Sequence, residues 1–272
     1  MGRKNFNLRR IWNRLRKSLA QRGVLSTAAI LLRKIFHPAS RTFDAAKEYA
    51  EVHPFDRQYG VDTSELLAAE DLASGKEKDL YNAGYFGVAP SVLRQILDRL
   101  PLDFEEYTFI DLGSGKGRAL LIASEYPFRA VIGVELSPKL HAIAADNLAR
   151  CRGLAQRCRN VRSIEGDATE FIFTAGPLVI YLWNPFEAPV FASVLVNLEA
   201  AIKRELRPVY IVYIQPDLEW MIEGSRFWQK MWREEVPMSE EDYAAHAFPP
   251  RVEICSVFRS VLPTGEAMSL AP

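Results

Sequence analysis

Residues 109–118, Phe-Ile-Asp-Leu-Gly-Ser-Gly-Lys-Gly-Arg, constrain this chain more than any other stretch. An apolar run ends in an acid, Asp111, and glycines follow at alternate positions, Gly113, Gly115 and Gly117. The pattern predicts a buried strand, a turn that uses glycine's access to positive φ, and the start of a helix. A second apolar run, Ala130–Val134, also ends in an acid, Glu135. Both acids fall at the carboxyl ends of strands, where open α/β sheets bind their ligands. The pair predicts a ligand with a cationic or donor-rich end near Asp111 and a ribose near Glu135. A carboxylate there can accept hydrogen bonds from two vicinal hydroxyls.

The glycine spacing narrows the ligand. A phosphate-binding P-loop needs Gly-x-x-x-x-Gly-Lys-Ser/Thr; here Ile110 takes the place of the first glycine and Gly117 follows Lys116. A dinucleotide fingerprint needs Gly-x-Gly-x-x-Gly, whereas this turn is Gly-x-Gly-x-Gly with Asp111 two residues upstream. A carboxylate that close would repel a pyrophosphate at the helix N-terminus. A sulfonium cofactor with an amino-acid end tolerates the acid, because its ammonium can be bonded by carbonyls of the turn.

At four successive strand ends the chain resembles the class I S-adenosylmethionine (SAM)-dependent methyltransferases, over about residues 85–260. Asp111–Gly117, with Ser114, matches the family's first motif, and Glu135 matches its ribose-binding acid. Gly166-Asp167-Ala168, after Val161–Glu165, matches the motif beside the adenine. Asn184-Pro185-Phe186, after Leu178–Trp183, matches the motif beside the transferred methyl. Tyr85, ahead of the sheet, lies where related enzymes cover the cofactor, and Phe55 to Thr63 is expected at the same mouth, with Asp62 and Thr63 as polar contacts. Asp167 has a second reading, a turn acid that caps the next short helix.

Alternating strands and helices predict a doubly wound α/β sheet. The resemblance adds a Rossmann-like sheet of seven strands, the last antiparallel, with SAM as cofactor and no metal. It casts Asp111, Gly113, Ser114, Gly115, Gly117, Glu135, Asp167, Ala168 and Tyr85 as cofactor-binding, and Asn184, Pro185 and Phe186 as catalytic. Family members that methylate amino groups often carry Asn/Asp-Pro-Pro-aromatic; this chain has one proline fewer. In that it is similar to the histone-lysine methyltransferases that lack a SET domain. The implied activity is methyl transfer to an amino group, foremost a protein lysine. The alternatives are an RNA methyltransferase and a non-catalytic SAM-binding protein.

Charge divides the chain. Residues 1–43 hold 11 Lys/Arg and no acid, so they carry +11 and residues 44–272 carry −11. Leu8, Ile11, Trp12, Leu15 and Leu19 recur at helical spacing among the arginines. This predicts a basic amphipathic helical extension that meets an anionic membrane surface through residues 1–36, binds nucleic acid, or packs on its own acidic domain. The expected division is the arm over 1–43, a segment over 44–84 that covers the site, and the methyltransferase domain over 85–272. Three cysteines without metal-type spacing suit a reducing compartment. With no apolar run of about 18 residues, the expected location is cytoplasmic, with a membrane-peripheral position through the arm as the variant. Because the motifs begin only after residue 84, deleting residues 1–36 should leave SAM affinity at the full-length value in calorimetry. Loss of that affinity would make the arm part of the binding domain.

Overall fold

The carboxyl ends of four of the five parallel strands carry the four motifs named above. The computed structural model describes residues 52–64, 67, 85–245 and 251–261. The expected arm over 1–43, and all but Leu67 of a short helix expected over 65–74, lie outside the described residues. The parallel strands are β1 Thr108–Leu112, β2 Ala130–Glu135, β3 Val161–Glu165, β4 Leu178–Trp183 and β5 Val209–Ile214. β6 Trp228–Pro237 and β7 Val252–Ser260 form an antiparallel pair. The sheet has seven strands in the order β3-β2-β1-β4-β5-β7-β6, and β7 runs antiparallel to β5. This is the Rossmann-like α/β sheet expected. Strand order reverses between β1 and β4, which opens a crevice at their carboxyl ends.

Seven helices are described: α1 Pro54–Tyr59, α2 Pro90–Asp98, α3 Arg118–Ala123, α4 Pro138–Arg150, α5 Ala188–Arg204, α6 Glu219–Glu223 and α7 Glu240–Ala245. Helices on both faces explain why β1, β2 and β5 are buried along their whole length and read as unbroken apolar runs. On one face, Leu93, Ile96 and Leu97 of α2 and Leu120 to Ile122 of α3 pack on Phe109, Val131, Val179 and Tyr181. On the other, Phe191, Val194 and Leu198 of α5 pack on Ile110, Ile132, Ile180 and Ile211. Leu93 is fully buried, so Leu93→Ala costs roughly 2–5 kcal/mol. Among the described residues no helix is long and apolar enough to cross a membrane.

Some elements escape a periodicity reading. Residues 40–64 look polar and turn-rich, yet Pro54–Tyr59 is helical. His53 Nδ1 accepts the N–H of Phe55 at 3.0 Å, Pro54 fills the first turn, and Gly60 closes the helix at φ 69°. That proline-to-glycine bracket is the sequence signal. A strand is expected over 226–233, and β6 runs on to Pro237. It is an outer strand with mostly exposed side chains, so no apolar run marks its length.

Glu253 on β7 is 2% exposed and accepts a hydrogen bond from Gln215 Nε2. Burial pushes its pKa up to about 7, against the pull of the Gln215 bond. The folded state therefore keeps a proton that the unfolded chain releases near pH 4.5. Stability from this group is fully present at low pH and is lost as pH rises toward about 7. Glu253→Gln should remove this loss, seen as a urea midpoint that falls less steeply between about pH 5 and 8 than in the wild type.

Candidate active site

A cleft of about 950 Å³, open to solvent, lies at the carboxyl ends of β1, β2 and β4. Every residue expected to hold the cofactor or to act in catalysis borders it except Gly117 and Asn184. The turn after β1 takes φ values of +86° at Gly113, +55° at Gly115 and +84° at Gly117. A Cβ on Gly115 would sit 2.3 Å from the Tyr85 ring, and one on Gly113 would sit 2.7 Å from Pro185 Cβ. Glycine is thus required twice over, for the backbone angle and for the close approach of two walls of the cleft.

Glu135 is bound to that turn. Its Oε2 accepts the N–H of Gly115 and its Oε1 the N–H of Ser137, each at 2.8 Å. Burial raises its pKa, and these backbone donors pull it back down. Asp111 is pushed well above the usual carboxylate range by burial, with the Glu135 charge adding to the effect. Two buried acids in one cleft favour a cationic guest. Of the six buried polar side-chain atoms that lack a hydrogen-bond partner among the described residues, three are Ser114 Oγ, Tyr181 OH and Trp183 Nε1. All three belong to residues that border the cleft. Native proteins rarely leave such groups unmet, so a ligand rich in donors and acceptors, with a positive end, fits this lining.

Asp167 closes the turn after β3, where no helix follows before β4. Its Oδ1 accepts the N–H and the hydroxyl of Thr169 at 2.9 and 2.7 Å, and the residue also borders the cleft. Asn184 adopts φ +42°. Its Oδ1 accepts the Tyr213 hydroxyl at 3.0 Å and its Nδ2 donates to Asp217 Oδ2 at 2.9 Å. The amide therefore joins the turns after β4 and β5, next to Pro185 and Phe186. Phe86 and Trp183 pack with ring centroids 5.2 Å apart on the same rim.

Two cations, Lys116 within the glycine turn and Arg118 just after it, also belong to this region. Arg118, 5% exposed, also borders the cleft. Its Nε donates to Thr63 Oγ1 at 2.6 Å, and its terminal nitrogens to the carbonyls of Thr63, Gly87 and Val88 at 2.9, 3.3 and 3.3 Å. The Tyr85 hydroxyl donates to the same Thr63 carbonyl at 2.8 Å. Thr63 is itself held by Asp56 through its N–H and hydroxyl. Lys116, fully buried, donates to Asp62 Oδ1 at 2.8 Å. Asp62 and Thr63 do not border the cleft; they anchor residues 54–64 to the turn. One sequence signal was available: a helix N-terminus disfavours cations, so Lys116 and Arg118 at the start of α3 demand nearby acceptors. Among the described residues no group of His, Cys, Asp and Glu could hold a metal ion.

The raised pKa of Asp111 gives a testable sign. The folded, ligand-free protein retains a proton that the unfolded chain loses, so this acid costs stability increasingly above about pH 4. Asp111→Asn should therefore raise the Tm of the ligand-free protein at neutral pH in thermal unfolding. A lower Tm would show that the charge is compensated in the native state.

A family model described as histone methylation protein DOT1 matches residues 68–166, a span that includes the glycine turn, Glu135 and part of the Gly166–Ala168 segment. No curated protein matches the chain. Among solved structures, glycopeptide N-methyltransferase MtfA is 12% identical, with 66% of this chain and 92% of that one covered at a TM-score of 0.46. The 23S rRNA methyltransferase ErmE is 13% identical, covering 63% and 67% at 0.42. The YcgJ protein of Bacillus subtilis is 13% identical, covering 64% and 99% at 0.42. Likenesses this distant leave the assignment to the family model, the strand-end motifs and the site itself. Together these support a class I SAM-dependent methyltransferase.

Proposed function

We propose that the protein transfers a methyl group from SAM to an amino group, that of a lysine side chain in a protein. The observation that carries this reading is the Asn184-Pro185-Phe186 turn, with its amide fixed by Tyr213 and Asp217 beside an acid-lined cleft. The family model, described by its histone methylation protein, supports a protein acceptor.

Bound SAM supplies a methyl group on a sulfonium, activated for in-line displacement by a neutral amine. The chain's own residues do the rest. Glu135 keeps lone pairs for the two ribose hydroxyls, because backbone donors already hold its carboxylate in place. Asp111 and the carbonyls of the turn receive the ammonium end, and the added positive charge draws Asp111 toward its ionised form. Gly113, Gly115 and Gly117 let the backbone approach the ligand, and Ser114 Oγ offers it a further polar contact. Asp167 and Ala168 flank the adenine, and Tyr85 covers the turn.

On the acceptor side, Pro185, Phe186, Trp183 and Phe86 give an apolar wall that excludes water and favours a neutral amine over an ammonium. The Asn184 oxygen, with one lone pair engaged by Tyr213, has a second for an incoming N–H. The exposed Asp217 draws a cationic side chain to the mouth before it loses its proton.

Three measurements test this. Incubation with radiolabelled SAM and a cell lysate should place label on protein lysine; label confined to RNA would overturn the choice of acceptor. Glu135→Ala should lose roughly 1.5–3 kcal/mol of charge-assisted bonding, a fall of about ten- to hundredfold in SAM affinity, while the fold persists. Asn184→Ala should cut turnover far more than SAM affinity, as expected of an interaction made mainly in the transition state. Equal losses would assign Asn184 to the cofactor or to the fold.

A further inference from the structure

Away from the cleft lies a second, oppositely charged feature. Between Asp146 and Glu165 the chain carries five arginines, Arg150, Arg152, Arg157, Arg159 and Arg162, with no acid and no lysine among them. All five are exposed. They occur within residues 44–272, where acids outnumber bases by eleven, so the net charge conceals them. They run from the end of α4 through the loop 151–160 into the start of β3. The loop enters β3 at its amino end, whereas the cleft gathers at the carboxyl ends of the parallel strands. The arginines therefore face away from the cofactor site.

The loop backbone is anchored. The N–H of Arg152 donates to the Tyr59 carbonyl at 3.1 Å, and those of Arg157 and Cys158 to the Ser124 carbonyl at 2.7 and 3.0 Å. Cys158 is buried beneath them. The positive charge is largely unspent. Arg150 pairs with Asp146 at 3.2 Å; none of the other four forms an ion pair among the described residues.

We infer that this face docks the phosphate backbone of a nucleic acid. Arginine presents a planar fork of donors that matches two phosphate oxygens, and an anchored loop loses little freedom when it binds. A protein partner would call for aromatic or apolar anchors, and a membrane for an apolar side chain to insert. No large apolar side chain is exposed between residues 129 and 165. The cleft end, with Glu135, Asp167 and Asp217, repels phosphate. The polymer is thus a platform gripped at the far end of the sheet, distinct from the methyl acceptor, and the inference holds whichever acceptor the cleft serves.

The full-length protein, titrated with fluorescein-labelled DNA and RNA duplexes of about 20 base pairs over a range of salt, tests it. Each lost phosphate contact lowers the slope of log K against log salt by about 0.9. Replacing Arg157, Arg159 and Arg162 together by Ser should flatten the slope by about 2 to 3 and weaken binding about tenfold or more at 0.1 M salt, with one duplex or both. The unfolding midpoint and the SAM affinity should stay at wild-type values. Residues 1–43 are present in both proteins, so the difference isolates the band. Unchanged slope and affinity in a folded variant would overturn the inference and leave the arginines as solvated guards of the β3 edge. Stronger binding to phosphatidylserine vesicles than to either duplex, dependent on the same three arginines, would overturn it as well. Failure of the wild type to bind SAM bears only on the methyltransferase reading, so the two failures are told apart.

Discussion

The carboxylate of Glu135 is held from two sides, by the N–H of Gly115 in the turn after β1 and by that of Ser137 at the start of α4. The cleft depends on this arrangement. A carboxylate buried without donors would take up a proton and cease to be an acceptor for hydroxyls. The backbone supplies those donors only because Gly115 turns through positive φ and points its N–H across to β2. The same conformation leaves the glycine bare, so the Tyr85 ring can close over it. One turn therefore sets a charge, orients it and roofs it. Asp111, one strand away, has no such donors among the described residues, and burial pushes it well above the usual carboxylate range. The two acids are prepared differently, one fixed as an anion-like acceptor and the other waiting for a cation.

Much of this was legible in the sequence for a physical reason. β1, β2, β4 and β5 are sandwiched between helices, so each is a run of apolar residues that ends where the chain emerges at a polar rim. The sequence marks those ends with Asp111, Glu135 and Asn184. What it hid were partnerships between residues far apart. Arg118 reaches Thr63, and Asn147 brackets Asp62, accepting its N–H and donating to its carbonyl. Periodicity reports which face of an element is buried, not which distant loop will lie on it. Asn184 marks a different limit. The residue was found, but the lock on its side chain by Tyr213 and Asp217 depends on the pairing of β4 with β5. The arginines of 150–162 were hidden for a third reason: surrounding acids cancel them in any net charge taken over the whole domain.

Seen as a charge distribution, the described domain is polarised along its strands. Acids gather at the carboxyl ends, around the cleft. Unpaired arginines gather at the amino end of β3. A zero net charge for the whole chain therefore says little about the field near either end, which is what an approaching partner meets.

The anchoring of residues 53–64 also sets an order of events during synthesis. His53, Asp56, Asp62 and Thr63 emerge from the ribosome well before most of their partners exist. Arg118, Asn147 and Asp242, which face Asp56 and Thr63, Asp62, and His53 respectively, follow by tens to nearly two hundred residues. Until then these polar groups keep their water, since burying them alone would leave them without partners. The earliest part of the described domain to be made thus gains these partners only after later elements have been made.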